Sequence, residues 1–229
     1  MSTEQEFYKA LKSHFPNEKE LETKIPFYSY SLYEKEPLQP FVIYEDWWVR
    51  KPQIVLSKAA AILGQSTRIF ARKTSVRRIN IEEADSFLNQ NHIYGTTKAK
   101  HKLGLYSEGE LVAVATFSTQ RNMEVGRSTE LIRFCSKNET TIVGGLDKLI
   151  KHYIKEFSPN HIMTYIDKDW GNGNSFLKLG FNFHSERTPI FYYVNPITGE
   201  RFRSPTAHKK NLKVKNRGSL KIDFFVVNE

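Results

Sequence analysis

The sequence predicts an α+β fold: a mixed, mostly antiparallel sheet flanked by helices, behind a helical and irregular amino-terminal extension. Three observations point there. From about residue 67 onward, short apolar runs of strand length recur between Gly, Asn and Pro punctuation. They alternate with helical patterns too often for a helical bundle. One helical stretch, GLDKLIKHY, stands between two strand-like runs, as a crossover connection requires. Hydrophobic residues make up 39% and aromatic residues 13%, enough for a packed core, which excludes a globally disordered chain.

Each element has its own signal. Ser2 with Gln5, or Thr3 with Glu6, has the spacing of a capping box, and Phe7, Leu11 and Phe15 recur at helical spacing until Pro16. Residues 24–42 are aromatic and broken by proline, so they are expected to be extended or irregular. Pro52 suits the first turn of a helix that Gly64 stops. Residues 68–71 and 75–79 read as short strands and 81–91 as an amphipathic helix. LGLY and LVAVATFS flank Ser107-Glu108-Gly109-Glu110 as a hairpin. TELIRFC is a further strand, followed by the Gly144-Gly145 turn and a helix to about residue 157. Strands are expected at 162–167, 181–185 and 190–194, a short helix at 174–179, and an edge strand at 222–227.

This order divides the chain into an extension at 1–66, a sheet domain at 67–205 and a basic tail at 206–229. Residues 1–15 are polar, unlike a signal peptide. No apolar run approaches the roughly 20 residues that span a bilayer. The lone Cys135 leaves no internal disulfide and no cysteine-cluster zinc site, and no histidine pair has metal-ligand spacing, so no metal is expected. A cytoplasmic location follows from these features. Net charge is +9, from 34 Lys+Arg against 25 Asp+Glu, which favours a polyanionic partner, and DNA is the expected one. The excess is clustered: Arg68, Arg72, Lys73, Arg77 and Arg78; Lys98, Lys100, His101 and Lys102; then Arg201, Arg203, Lys209, Lys210, Lys213, Lys215 and Arg217. Arg72, Lys73, Arg77, Arg201, Arg203, Lys209 and Lys210 are the candidate nucleic-acid contacts.

The most informative stretch is VGGLDKLIKHY followed by HIMTYIDKDWGNGNSFLKLGF. A Gly-Gly turn opening a helix offers main-chain N–H groups and a positive helix end to an anion. The order of turn, helix, strand and short helix resembles motifs A and B of the GNAT superfamily of N-acetyltransferases. A narrower likeness runs from about residue 41 to 205, through VIYEDWWVRKPQIVLSKAAAILGQSTRIFARKTSV, FLNQNHIYG, GLYSEGELVAVATFS and ELIRFCSKNETTIVGGLDKLIKHY. It is similar to the carboxy-terminal region of phage homing-type endonucleases, found beyond a Vsr-like nuclease core. More distantly it looks like the Mom class of phage DNA-modification proteins. Glu45 and Asp46 are adjacent and read as acids opening a helix ahead of Trp47, so the nuclease core itself is read as absent.

The resemblance implies acetyl-CoA or another acyl-CoA as cofactor, lying in a V-shaped gap between TELIRFC and HIMTYID. It implies Val143, Gly144, Gly145 and Asn174 as the cofactor contacts. An ordinary tight turn, or a turn holding a DNA phosphate, fits the glycines as well. Many GNAT enzymes place a general-acid tyrosine four residues before the Gly-Phe pair; here Phe176 stands there and cannot donate a proton. Asp167 is the candidate base, with His92 or Tyr165 assisting; Tyr165 shares a strand face with Asp167. His92 matches a His-Leu-Gln-Gly-like motif of the endonuclease family, and a histidine serving a helix end explains it equally. Cys135 reads as a core residue and Arg133 as an ion-pair partner of Glu130. Three functions stay open: a GNAT-like acyltransferase or base-modification enzyme acting at DNA, a non-catalytic DNA-targeting module, and an acetyltransferase for a small amine or protein.

Overall fold

The computed structural model describes residues 2–32, 41–204 and 211–226. In chain order the helices are α1 (Thr3–His14), α2 (Leu21–Lys24), α3 (Glu45–Arg50), α4 (Pro52–Ile62), α5 (Ile81–Asn91), α6 (Gly145–Phe157) and α7 (Asn174–Leu177). The strands begin with β1 (Phe27–Tyr28), β2 (Ile43–Tyr44), β3 (Thr67–Phe70), β4 (Ser75–Arg78) and β5 (His101–Ser107). They continue with β6 (Glu110–Phe117), β7 (Arg121–Met123), β8 (Gly126–Ser136), β9 (Thr140–Val143) and β10 (His161–Asp167). The last five are β11 (Asn182–Arg187), β12 (Phe191–Val194), β13 (Arg201–Phe202), β14 (Leu212–Lys215) and β15 (Ser219–Phe225). The expected mixed, mostly antiparallel sheet with flanking helices is present. The main sheet runs β11-β15-β10-β8-β6-β5-β4, with β7 paired to β8.

The chain forms two compact units, neither continuous in sequence: Met1–Ala59 with Ile166–Asn172 and Glu186–Leu220, and Ala60–Tyr165 with Gly173–Ser185 and Lys221–Glu229.

The first unit has an aromatic core. The capping box forms at Ser2 and Gln5, and α1 buries Phe7 and Leu11. Phe7 meets Phe27 at 4.8 Å and Trp48 at 5.2 Å between ring centroids. Tyr44, Trp47 and Trp170 follow one another edge to face, at 5.0 and 5.1 Å. Glu45 and Asp46 form the first turn of α3, where acids favour the positive helix end. Two ion pairs are buried here, Arg201 with Asp46 and Arg217 with Asp169. Strands β12, β13 and β14 make a small antiparallel sheet.

In the second unit, β6 is the central strand and reads as a continuous apolar run because both its faces are covered. Val114 packs with Phe87 and Leu88 of α5. On the opposite face, Phe117 stacks on Tyr153 of α6 at 3.9 Å. The β5–β6 hairpin turns through Glu108 and Gly109, both at positive φ, as a two-residue turn compatible with strand twist requires. The carboxy-terminal strand, expected at an edge, instead lies inside the sheet between β10 and β11. Its apolar pattern gave a strand but held no information on which neighbours it would find; Val227 lies outside the described residues.

Candidate active site

The site begins with an irregularity in β8. Its antiparallel register against β6 runs from Ala113↔Ser136 to Thr116↔Arg133, then jumps to Phe117↔Leu131. Ile132 is therefore one extra residue, a β-bulge, and a bulge bends its strand and increases local twist. On the other side of β8, parallel pairing to β10 covers only Ser128–Glu130 against His161–Met163. Both strands continue, β8 to Ser136 and β10 to Asp167, without further pairing between them. A single side-chain bond follows, from Thr164 Oγ1 to the Leu131 carbonyl at 2.8 Å. The ladder thus ends where the bulge begins.

The chain then delivers a helix start. β9 pairs in parallel with β3 and ends at Val143. Gly144 follows at φ 77°, a left-handed conformation that explains the glycine. Gly145 has a different reason: a Cβ there would come within 2.7 Å of Ile142 Cγ2 and 3.2 Å of Leu105 Cδ1. No side chain caps the first turn of α6, so its N–H groups have no acceptor from a cap residue. Ala71 approaches Gly144, and Lys148 donates to the Ala71 carbonyl at 2.8 Å and to that of Thr74. This fixes the basic turn Ala71–Lys73 against the start of α6, with Arg72 and Lys73 exposed.

Glu130 is the last residue of β8 paired to β10, and it is partly buried. Burial pushes its carboxyl pKa up, opposed by Arg133 and Arg121. Arg133 is not held in an ion pair: its Nε donates to the Gly95 carbonyl at 3.3 Å and its Nη1 to that of Ile132 at 3.0 Å. It therefore ties the loop after α5 to the bulge. His92 ends α5 in that loop, and its Nδ1 accepts from the Tyr94 N–H at 3.1 Å. A neutral imidazole bonded this way carries its proton on Nε2 and presents a donor. Cys135 is packed against the Phe87, Leu88 and Val114 cluster, and burial drives its thiol far above the ordinary range, so it is no nucleophile.

The other expected residues are placed as follows. Tyr165 is 37% exposed and shares a face of β10 with Asp167 by strand alternation. Asp167 Oδ1 accepts the Asp169 N–H at 2.8 Å. Asp169 itself is buried, accepting from Arg217 Nε at 3.0 Å and from the Tyr44 hydroxyl at 3.2 Å. Asn174 is the first residue of α7, and Gly173 is the cap, at φ 76°. Phe176 packs edge-on against Phe181 at 5.4 Å. Arg77 is exposed and lies over the Tyr106 ring at 4.6 Å; Arg203 is exposed and lies over Tyr192 at 5.5 Å.

Arg201 departs from the expectation. It forms a two-point bond to Asp46, at 2.5 and 3.0 Å, with its side chain 9% exposed, which withdraws it from phosphates. Lys209 and Lys210 lie outside the described residues. The geometry thus gathers Val143, Gly144 and Gly145 with Arg72 and Lys73, and separately ties the His92 loop to the strand of Glu130. The sequence marks Glu130 only as an ion-pair partner, because TELIRFC reads as an ordinary strand with a neighbouring Arg for its acid. A carboxylate flanked by buried Thr129 and Leu131 was the available signal.

No known family pattern matches the sequence, and no curated protein does. Solved structures that align with the chain include the ribosomal-protein-S18-alanine N-acetyltransferase of Escherichia coli, at TM-score 0.44 and 12% identity over 68% of this chain and 96% of that one. Arabidopsis thaliana Naa50, bound to a bisubstrate analogue, aligns at TM-score 0.45 and 10% identity over 67% and 99%. A Bacillus subtilis acetyltransferase in complex with CoA aligns at 0.43 and 10% over 68% and 99%. Among the described residues no helix is long and apolar enough to cross a membrane.

Proposed function

We propose that the chain transfers an acyl group from an acyl-coenzyme A to an amine, at the place where β8 and β10 cease to pair. The observation that carries this reading is the bulge at Ile132 coinciding with the end of the β8–β10 ladder. It frees main-chain groups of both strands for an extended ligand. The start of α6 suits the ligand's phosphates: uncapped N–H groups at Gly144 and Gly145, with Arg72 and Lys73 beside them. An acyl thioester would supply an activated carbonyl. Glu130 takes the proton from the attacking amine as the N–C bond forms and the C–S bond breaks. The Cys135 environment argues for direct transfer without an acyl-cysteine. Asp167, assisted by Tyr165, is the alternative base, and Asn174 belongs to the cofactor side. His92, with its proton held on Nε2, serves as a donor in place of a base.

We assign the acceptor to DNA, on the net charge of +9, the exposed Arg72, Lys73, Arg77 and Arg203, and the likeness of the sequence motifs to phage proteins that act on DNA. A DNA-targeting module without catalysis is the competing reading, favoured by Phe176 at the usual general-acid position.

Calorimetric titration with acetyl-coenzyme A, with and without a short duplex, separates the two. Micromolar binding of the thioester is expected, weakened by Gly144→Val. Salt-dependent duplex binding with no heat from acetyl-coenzyme A would leave only the targeting module.

A further inference from the structure

The second unit holds a second concentration of positive charge, in a concave site. A pocket of about 270 Å³ is lined by Arg78, Lys100, His101, Lys102 and Phe157, together with the apolar Ile79 and Leu103. It is built by the end of β4, the start of β5 and the last turn of α6. The start of α6, assigned above to the acyl donor, lies at the opposite end of this helix from Phe157, about 18 Å away by helical rise.

The local charges are not balanced. Glu156 is the carboxylate that acts on His101, and it is engaged with Arg78 and lies 3.4 Å from His152. Lys102 donates to the Ala99 carbonyl at 2.8 Å, which positions the ammonium without neutralising it. His101 lies against Phe157, 4.0 Å between ring centroids, and edge-on to Tyr153 at 5.7 Å. Three cations against one carboxylate around one imidazole, in a hollow with an aromatic wall, leave a positive excess that a further anion would offset.

We propose that this pocket binds a phosphate group, carried by a nucleotide or by a nucleic-acid backbone, through Arg78, Lys100, Lys102 and protonated His101. The site is independent of the acyl-transfer reading, because no residue is shared with it. Its present state supports it: burial lowers the His101 pKa, and Lys100, Arg78 and Lys102 add to that, with Glu156 opposing. A bound phosphate offsets the local positive field and raises the imidazole pKa. By linkage, phosphate then binds more tightly when His101 is protonated, about tenfold between the two limbs of its titration.

The test is an NMR titration of the His101 ring in the full chain, alone and with inorganic phosphate, adenosine monophosphate or a short duplex. Saturable upward movement of the His101 pKa is expected, weakened at least fivefold in affinity by Lys100→Ala. The dispersed spectrum of that variant reports that it is folded. A response to phosphate and the mononucleotide assigns the pocket to a free phosphate ester; a response to the duplex alone assigns it to a DNA strand. An unchanged His101 titration with all three, or an unchanged affinity in Lys100→Ala, overturns the proposal.

Discussion

At the scale of single residues, burial decides what the charged groups of this chain can do. Arg201 and Arg217 read in the sequence as members of one basic cluster, yet each is committed to a buried carboxylate, Asp46 or Asp169. Their partners lie 155 and 48 residues away, a separation at which sequence gives no pairing signal. Breaking such a pair strands an ion in the interior, so these arginines are structural. Glu130 is the opposite case, a partly buried acid whose charge is opposed by burial. Its raised pKa means that the folded protein holds a proton more tightly than the unfolded chain. That contribution to stability is present below the ordinary glutamate range and is lost as pH rises through the raised value. Glu130→Gln should therefore increase Tm at pH 7 more than at pH 4, while lowering acyl transfer about a hundredfold with thioester binding retained. A lower Tm at pH 7, or undiminished turnover, would remove Glu130 from the proposed role.

At the scale of elements, the strands and helices that the sequence made legible are those with local signals. The helix at 81–91 has its Asn80 cap and amphipathic period, and the hairpin has its Glu108-Gly109 turn. The bulge at Ile132 was not legible, because Leu-Ile-Arg-Phe carries no glycine or proline to mark it. Only the partner strand fixes which of these residues is unpaired. The Gly-Gly turn was visible, but its two glycines have separate reasons. Gly144 answers to backbone conformation and Gly145 to the closeness of Ile142 and Leu105. Gly145→Ala should destabilise the fold by about 1–3 kcal/mol through overpacking. Adding Ile142→Ala should recover part of that loss, a coupling readable as a double-mutant cycle in denaturant melts. Additive costs would show that the alanine methyl does not meet Ile142.

At the scale of the whole molecule, charge sets the interactions that reach beyond contact. Exposed Arg72, Lys73 and Arg77 form no ion pair among the described residues, unlike Arg201, and so are the residues expected to neutralise DNA phosphates. The triple substitution Arg72→Ala, Lys73→Ala, Arg77→Ala should reduce the slope of log K against log salt by up to about three, near one for each phosphate contact removed. An unchanged slope would place the DNA surface elsewhere or deny it. The sequence made the excess of charge plain; it did not show which basic side chains remain at the surface, because that depends on acids brought from other parts of the chain.

The position of β15 between β10 and β11 also bears on how the protein is made. A ribosome delivers β10 and β11 before the strand that joins them. Until β15 arrives, both carry open hydrogen-bonding edges, each a template for another chain. The nascent protein therefore cannot close its sheet in the order of synthesis. It must hold these unfinished edges apart until β15 emerges, a period in which they are open to pairing with other chains.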